Sequence, residues 1–94
     1  MPVTFQFEAQ LRQAASCREC TVDVPEASTL ADALRLVAGK MGDEFHHRVL
    51  DESNEPRASI LLFVNEEPVQ HAEAATRSLA EGDRILLFPP ISGG

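Results

Sequence analysis

The sequence predicts an α+β roll, in which a hairpin, one principal helix laid across one sheet face, and returning strands complete a single domain. Three patterns carry that prediction. Apolar and polar residues alternate from Val3 to Leu11 and again from Cys20 to Val24, the period-two mark of half-buried strands. Leu30, Leu34, Val37 and Met41 then fall at i, i+4, i+7 and i+11, one stripe of an amphipathic helix. Finally, residues 60 to 64 and 84 to 88 are short apolar runs bounded by turn residues, which suits strands.

In the first strand Val3, Phe5, Phe7, Ala9 and Leu11 face the core, while Thr4, Gln6, Glu8 and Gln10 face away. A polar turn from Arg12 to Glu19 leads to a second strand that stops at Pro25, and the two make a hairpin. Thr29 followed by Asp32 is a capping pair for the helix, with Ser28 a rival N-cap. Gly42 ends that helix where a left-handed residue is wanted. Residues 43 to 50 form a further helical turn with Phe45 and Val49 inward. The polar stretch Asp51-Glu52-Ser53-Asn54-Glu55-Pro56 is a loop. After the strand at 60 to 64, Asn65-Glu66-Glu67-Pro68 turns the chain into a brief strand of Val69, Gln70 and His71. Leu79 anchors the next connection, Gly82-Asp83 closes it as a tight turn, and residues 84 to 88 form the last strand. About five strands and one main helix result, with residues 1–88 as the domain and 89–94 as an extended tail.

Two strands break the clean alternation of a sheet with one solvated face. If Ile85 and Leu87 point at the helix, Leu86 and Phe88 point at the face the helix leaves bare. Residues 60 to 64 likewise carry apolar side chains of both parities. Either both strands are central and buried on both sides, or Leu86 and Phe88 belong to a partner-binding apolar patch beside the tail.

Composition narrows the function. With 94 residues, 44% apolar and 24% charged, the chain can bury one small core, and little room remains for an enclosed catalytic cavity. A net charge of −7 and the absence of Trp and Tyr argue against nucleic acid, which demands cations and stacking rings. No apolar run approaches bilayer length and the start lacks a signal-peptide pattern, so the cytoplasm is expected and a membrane partner is not. Cys17 and Cys20 supply half of a tetrahedral zinc site and precede a strand, where a redox pair would open a helix. They are expected to be reduced thiols, and no metal site is expected. His46 and His47 are adjacent and diverge by about 100° on a helix; His71 is expected at the surface. The acidic pairs at 43–44, 51–52 and 66–67 have nothing beside them to raise one pKa and are taken as solvated charge.

The distinctive chemistry lies in Phe88-Pro89-Pro90-Ile91-Ser92-Gly93-Gly94. Pro89 and Pro90 each fix φ near about −65° and give the tail a preset direction. Gly93 and Gly94 carry no Cβ and can thread a narrow channel, which suits a Gly94 carboxylate offered to another protein's active site. A carboxylate is a poor acyl donor until it attacks the α-phosphate of ATP and becomes a mixed anhydride with AMP as leaving group. No glycine-rich phosphate loop is present, so no cofactor is expected on this chain, and ATP would be used by an activating partner. A sulfur nucleophile would then give a thiocarboxylate, and an amine an amide.

The element order, the Leu79-Ala80-Glu81-Gly82-Asp83 turn and the tail together resemble the ubiquitin-like sulfur-carrier family. That family includes the molybdopterin synthase small subunit, to which the tail is most similar, and the thiamine-pathway sulfur carrier. The resemblance implies a β-grasp fold whose first and last strands lie parallel at the centre of a mixed sheet. It implies that an E1-like enzyme adenylates Gly94 and that a sulfur donor protein supplies the thiocarboxylate. An acceptor enzyme such as the molybdopterin synthase large subunit would then receive the tail, and the chain would be no enzyme on its own. Gly93 and Gly94 are then the reactive end, Phe88, Pro89, Pro90, Ile91 and Ser92 touch partners, and Pro68 falls at a partner-facing turn. Residues 51 to 59 and 64 to 69 also resemble carriers serving cysteine or other sulfur metabolites. A ubiquitin-like modifier joined to lysines, and a binding module with an inert tail, are the readings of a different class.

Overall fold

In the computed structural model, residues 1–90 are described; the expectations for Ile91, Ser92, Gly93 and Gly94 lie outside them. Along the chain come β1 (Pro2–Phe7), α1 (Gln10–Ala15), β2 (Glu19–Asp23), α2 (Leu30–Met41), α3 (Asp43–Val49), β3 (Leu61–Val64), β4 (Glu67–Val69), a 3₁₀ turn (His71–Glu73) and β5 (Arg84–Phe88). The strands form one sheet in the order β2-β1-β5-β3-β4. At its centre β1 and β5 run parallel, Phe5 beside Ile85 and Phe7 beside Leu87. The other neighbours are antiparallel. This is the mixed β-grasp sheet that the resemblance implied.

Alternation along the strands turns Val3, Phe5, Phe7, Val22, Leu62, Val64, Ile85 and Leu87 to one face, all buried. Against them α2 buries Leu30, Leu34, Val37 and Ala38, and α3 buries Phe45 and Val49. Phe7 and Phe45 meet edge to face with centroids 5.0 Å apart, a geometry worth about 0.5–1.5 kcal/mol beyond burial. Thr29 is the N-cap of α2: its hydroxyl accepts the Asp32 N–H at 3.1 Å, and the Asp32 carboxylate accepts the Thr29 N–H at 3.1 Å. Ser28 donates instead to the Pro25 carbonyl at 2.7 Å. Gly42, at φ 104°, links α2 to α3.

Two elements differ from the sequence-based expectation. The first strand ends at Phe7, although the alternation continues to Leu11. The Glu8 N–H donates to the Leu87 carbonyl at 3.1 Å, Ala9 then swings to φ 51°, and the expected polar turn coils into α1. Leu11 and Ala15, one helical turn apart, reach the core from that helix, whereas Ala9 is exposed rather than inward. The second difference concerns Pro68. Asn65 and Glu66 both take positive φ, 50° and 72°, and make a two-residue hairpin turn. Consequently β4 starts at Glu67, and Pro68 lies inside it opposite Phe63, not in the turn. An edge strand tolerates a proline because no ladder bond depends on its missing N–H. Gln70 and His71 have already left the strand; the His71 ring Nε2 meets the Pro56 carbonyl oxygen. Among the described residues no helix is long and apolar enough to cross a membrane.

Candidate functional site

Opposite the core, the sheet presents a second face that divides into two halves. On the β2–β1 side it is polar. Thr4 and Thr21 share a hydroxyl hydrogen bond of 2.9 Å, and Arg84 Nη2 donates to Gln6 Oε1 at 3.2 Å and Glu19 Oε2 at 3.1 Å. On the β5–β3 side it is apolar. Register places Leu61 beside Phe88 and Phe63 beside Leu86, so all four side chains share this face. Leu61 is 44% exposed, and Phe63, Leu86 and Phe88 are half-buried. The two phenyl rings meet edge to face, centroids 5.6 Å apart at 74°. Among the described residues nothing closes over this face, which favours the open apolar patch over burial of β3 and β5 on both sides.

Where β5 ends, these residues wall a groove of about 470 Å³ lined by Ala9, Gln10, Leu61, Phe63, Phe88, Pro89 and Pro90. Among the described residues no charged side chain lines it. The nearby charges satisfy one another: Glu8 accepts from Gln6 Nε2 at 2.8 Å and from Arg12 Nη2 at 3.2 Å, and Arg12 Nε also donates to the Phe7 carbonyl at 3.3 Å. The start of the short helix thus forms one wall, and the hinge at Ala9 puts it there.

Of the sequence-predicted contact residues, Phe88, Pro89 and Pro90 come together in this groove. Leu86 shares the face but lines a separate polar hollow with Gln6, Asn65, Glu66 and Arg84. Pro68 lines a neighbouring hollow of about 340 Å³ that shares Leu61 and Phe63 as its wall. Ile91, Ser92, Gly93 and Gly94 lie outside the described residues. Leu61, Phe63, Ala9 and Gln10 were not among the predicted contact residues. The mixed parity of residues 60 to 64 was the available signal for the first two; nothing in the sequence marked the other two.

Elsewhere the chemistry is quiet. Cys17 and Cys20 are free and half-buried; burial, and then the neighbouring Cys20, push the Cys17 thiol above its ordinary pKa, away from the thiolate that reacts. No three His, Cys, Asp or Glu side chains among the described residues cluster for a metal. Among the described residues the groove holds no acid–base pair and no nucleophile. What it can do is bind an apolar surface next to the point where the tail leaves.

The family model for the ThiS family matches residues 5–94. Small archaeal modifier protein 1 of Haloferax volcanii is 35% identical over 86 residues, 92% of this chain and 93% of that protein. The crystal structure of SAMP1 from Haloferax volcanii superposes with a TM-score of 0.87 at 31% identity, covering 100% of both chains. A putative molybdopterin converting factor, subunit 1, from Pyrococcus furiosus gives a TM-score of 0.75 at 25% identity, covering 97% of this chain and 99% of that one. Sequence and fold agree along nearly the whole length, and the chain belongs to the ThiS family of ubiquitin-like sulfur carriers and small modifiers.

Proposed function

We propose that this chain is a cytoplasmic sulfur carrier whose Gly94 carboxylate is adenylated by an E1-like enzyme with ATP and then converted to a thiocarboxylate by a sulfur donor protein. The observation that carries the reading is the apolar groove at the base of the tail. The domain, which shows no acid–base constellation among its described residues, places an open apolar groove where Pro89 and Pro90 leave the fold. That arrangement suits a chain that docks by the groove and delivers its end into a partner's site. The acceptor we propose is a molybdopterin synthase large subunit. This rests on the Phe88-to-Gly94 sequence and on the likeness to the putative converting-factor subunit.

A second reading has its own support. The 35% identical relative is named a modifier protein, and an adenylated glycine attacked by a lysine amine gives an amide in place of a thiocarboxylate. The test is incubation with the host's E1-like enzyme and ATP, with a sulfur donor in one arm and a lysine-bearing acceptor in the other. Intact mass is read in both arms. Exchange of one oxygen for sulfur supports carriage, and acceptor adducts support conjugation. An unchanged mass in both arms overturns the proposal. Deleting Gly94 should abolish either product.

A further inference from the structure

Cys17, Cys20 and Met41 bring three sulfur atoms from three parts of the fold to the rim of the core. Cys17 lies in the turn between α1 and β2, Cys20 is the second residue of β2, and Met41 ends α2. Cys20 shares its parity with the buried Val22 and stands opposite Phe5 in the ladder, so its side chain faces the core side of the sheet. The helix α2 covers that side, and all three sulfur residues are half-buried against the core. The Cys17 thiol points at Met41 Sδ across 4.0 Å. Cys20 is near enough for its charge to act on Cys17, and its own thiol rests on the Thr21 carbonyl at 3.9 Å, a slight contact for a weak donor.

This donor set falls short for one class of ion and is complete for another. Zinc takes four ligands from thiolate, imidazole and carboxylate, and among the described residues no three His, Cys, Asp or Glu side chains gather. Thioether sulfur is soft, and thiolates joined by a thioether select copper(I). Two sulfurs each about 2.3 Å from a shared ion, at trigonal angles, stand about 4 Å apart. Cys17 and Met41 already have that separation. Two thiolates and one monovalent cation leave one excess negative charge. Arg18, between the cysteines, and Lys40, beside Met41, are exposed and form no ion pair among the described residues. Two free cations therefore stand next to the ligands in the chain and can offset that charge.

We infer that Cys17, Cys20 and Met41 form a binding site for a soft monovalent cation, copper(I), held by two thiolates and one thioether. Each thiol gives its proton to water as its sulfur binds. Met41 binds through a sulfur lone pair, and the ion keeps its oxidation state. The bound ion ties the turn before β2 to the end of α2, so it stabilises the folded chain by mass action. The site needs neither Gly94 nor an activating enzyme. It lies on the helical side of the sheet, while the apolar groove opens on the other face, so an occupied site leaves the groove free.

The test titrates the full, reduced chain with copper(I) without oxygen, against the chelator bicinchoninate, with zinc(II) in a parallel arm. The expected result is one copper(I) retained per chain, no stoichiometric zinc, a higher melting temperature with copper, and three sulfur neighbours in the X-ray absorption spectrum. Met41→Leu, which keeps the volume and apolar character of the side chain, should lose one of those sulfur neighbours while its metal-free melt stays close to wild type. Cys17→Ser and Cys20→Ser should each lose retention, and Met41→Leu keeps the test decisive where a serine variant fails to fold. Retention that persists in either serine variant overturns the site. So do three sulfur neighbours in Met41→Leu, zinc held as tightly as copper, or an ion that bridges two chains in native mass spectrometry. A wild-type chain that yields all its copper to the chelator overturns it as well.

Discussion

Phe88 and Phe5 sit on the two central strands, yet their contexts assign them different jobs. Phe5 is wholly buried, so Phe5→Ala should cost about 3–5 kcal/mol of folding stability. Phe88 is half-buried on the open face with its ring against Phe63, so Phe88→Ala should leave most of the stability in place. If the groove docks a partner, the same change should cost about 2 kcal/mol of binding, roughly a 30-fold loss in affinity. A thermal melt together with a titration against the activating enzyme separates the outcomes. A large fall in melting temperature with normal binding by the folded fraction would assign Phe88 to the core instead. Such a contrast is invisible to hydrophobicity alone. The parity of residues 84 to 88 gave the face of Phe88, and only the pairing with β3 brought Phe63 and Leu61 to it.

At the scale of elements, α2 carries the clearest local signals and the clearest expectations. Thr29→Ala removes the side-chain half of the capping box and should cost about 1 kcal/mol, readable as a lower urea midpoint. Acid should act on the same turn. The Asp32 carboxyl is held below its ordinary pKa of 3.8, chiefly by the Thr29 backbone N–H and then by the Thr29 hydroxyl. The Asp51 carboxyl is lowered too, chiefly by the Glu55 N–H, with that of Ser53 also contributing. A group whose pKa is lower folded than unfolded stabilises the fold fully above the unfolded value, and that contribution fades as pH falls through the folded value. Stability should therefore drop below about pH 4, and replacing Asp32 and Asp51 with Asn should flatten that fall. Urea midpoints at neutral pH and near pH 3 are the check; an unflattened fall would mean other carboxyls govern it. The capping pair, the helical stripe and Phe45 with Val49 were legible because each signal is local. The short helix α1 was not. Six residues are too few to impose a 3.6 period, and Ala9 and Leu11 extend the strand pattern by chance of parity. The hairpin at Asn65–Glu66 was hidden for a related reason: Glu66 takes a positive φ usually given to glycine, so the start of β4 and the place of Pro68 were misjudged.

For the whole molecule, the central pair joins residues near the start to residues some eighty positions later, β1 to β5, so the sheet cannot close until both ends of the domain are present. Deleting residues 91–94 should leave the melting temperature unchanged, since the buried core runs from Val3 to Leu87. Deleting 84–94 should abolish cooperative unfolding by removing Ile85 and Leu87 and baring the edges of β1 and β3. A lowered melting temperature in the shorter deletion would give the tail a structural part. The parallel central pair also has a mechanical consequence. Because β1 and β5 point the same way, the α-amino end and the tail leave from opposite ends of the sheet. Tension between them loads the evenly spaced hydrogen bonds of this pair together in shear, not one after another as in unzipping. A motor drawing on the tail would pull along the axis where the domain yields last.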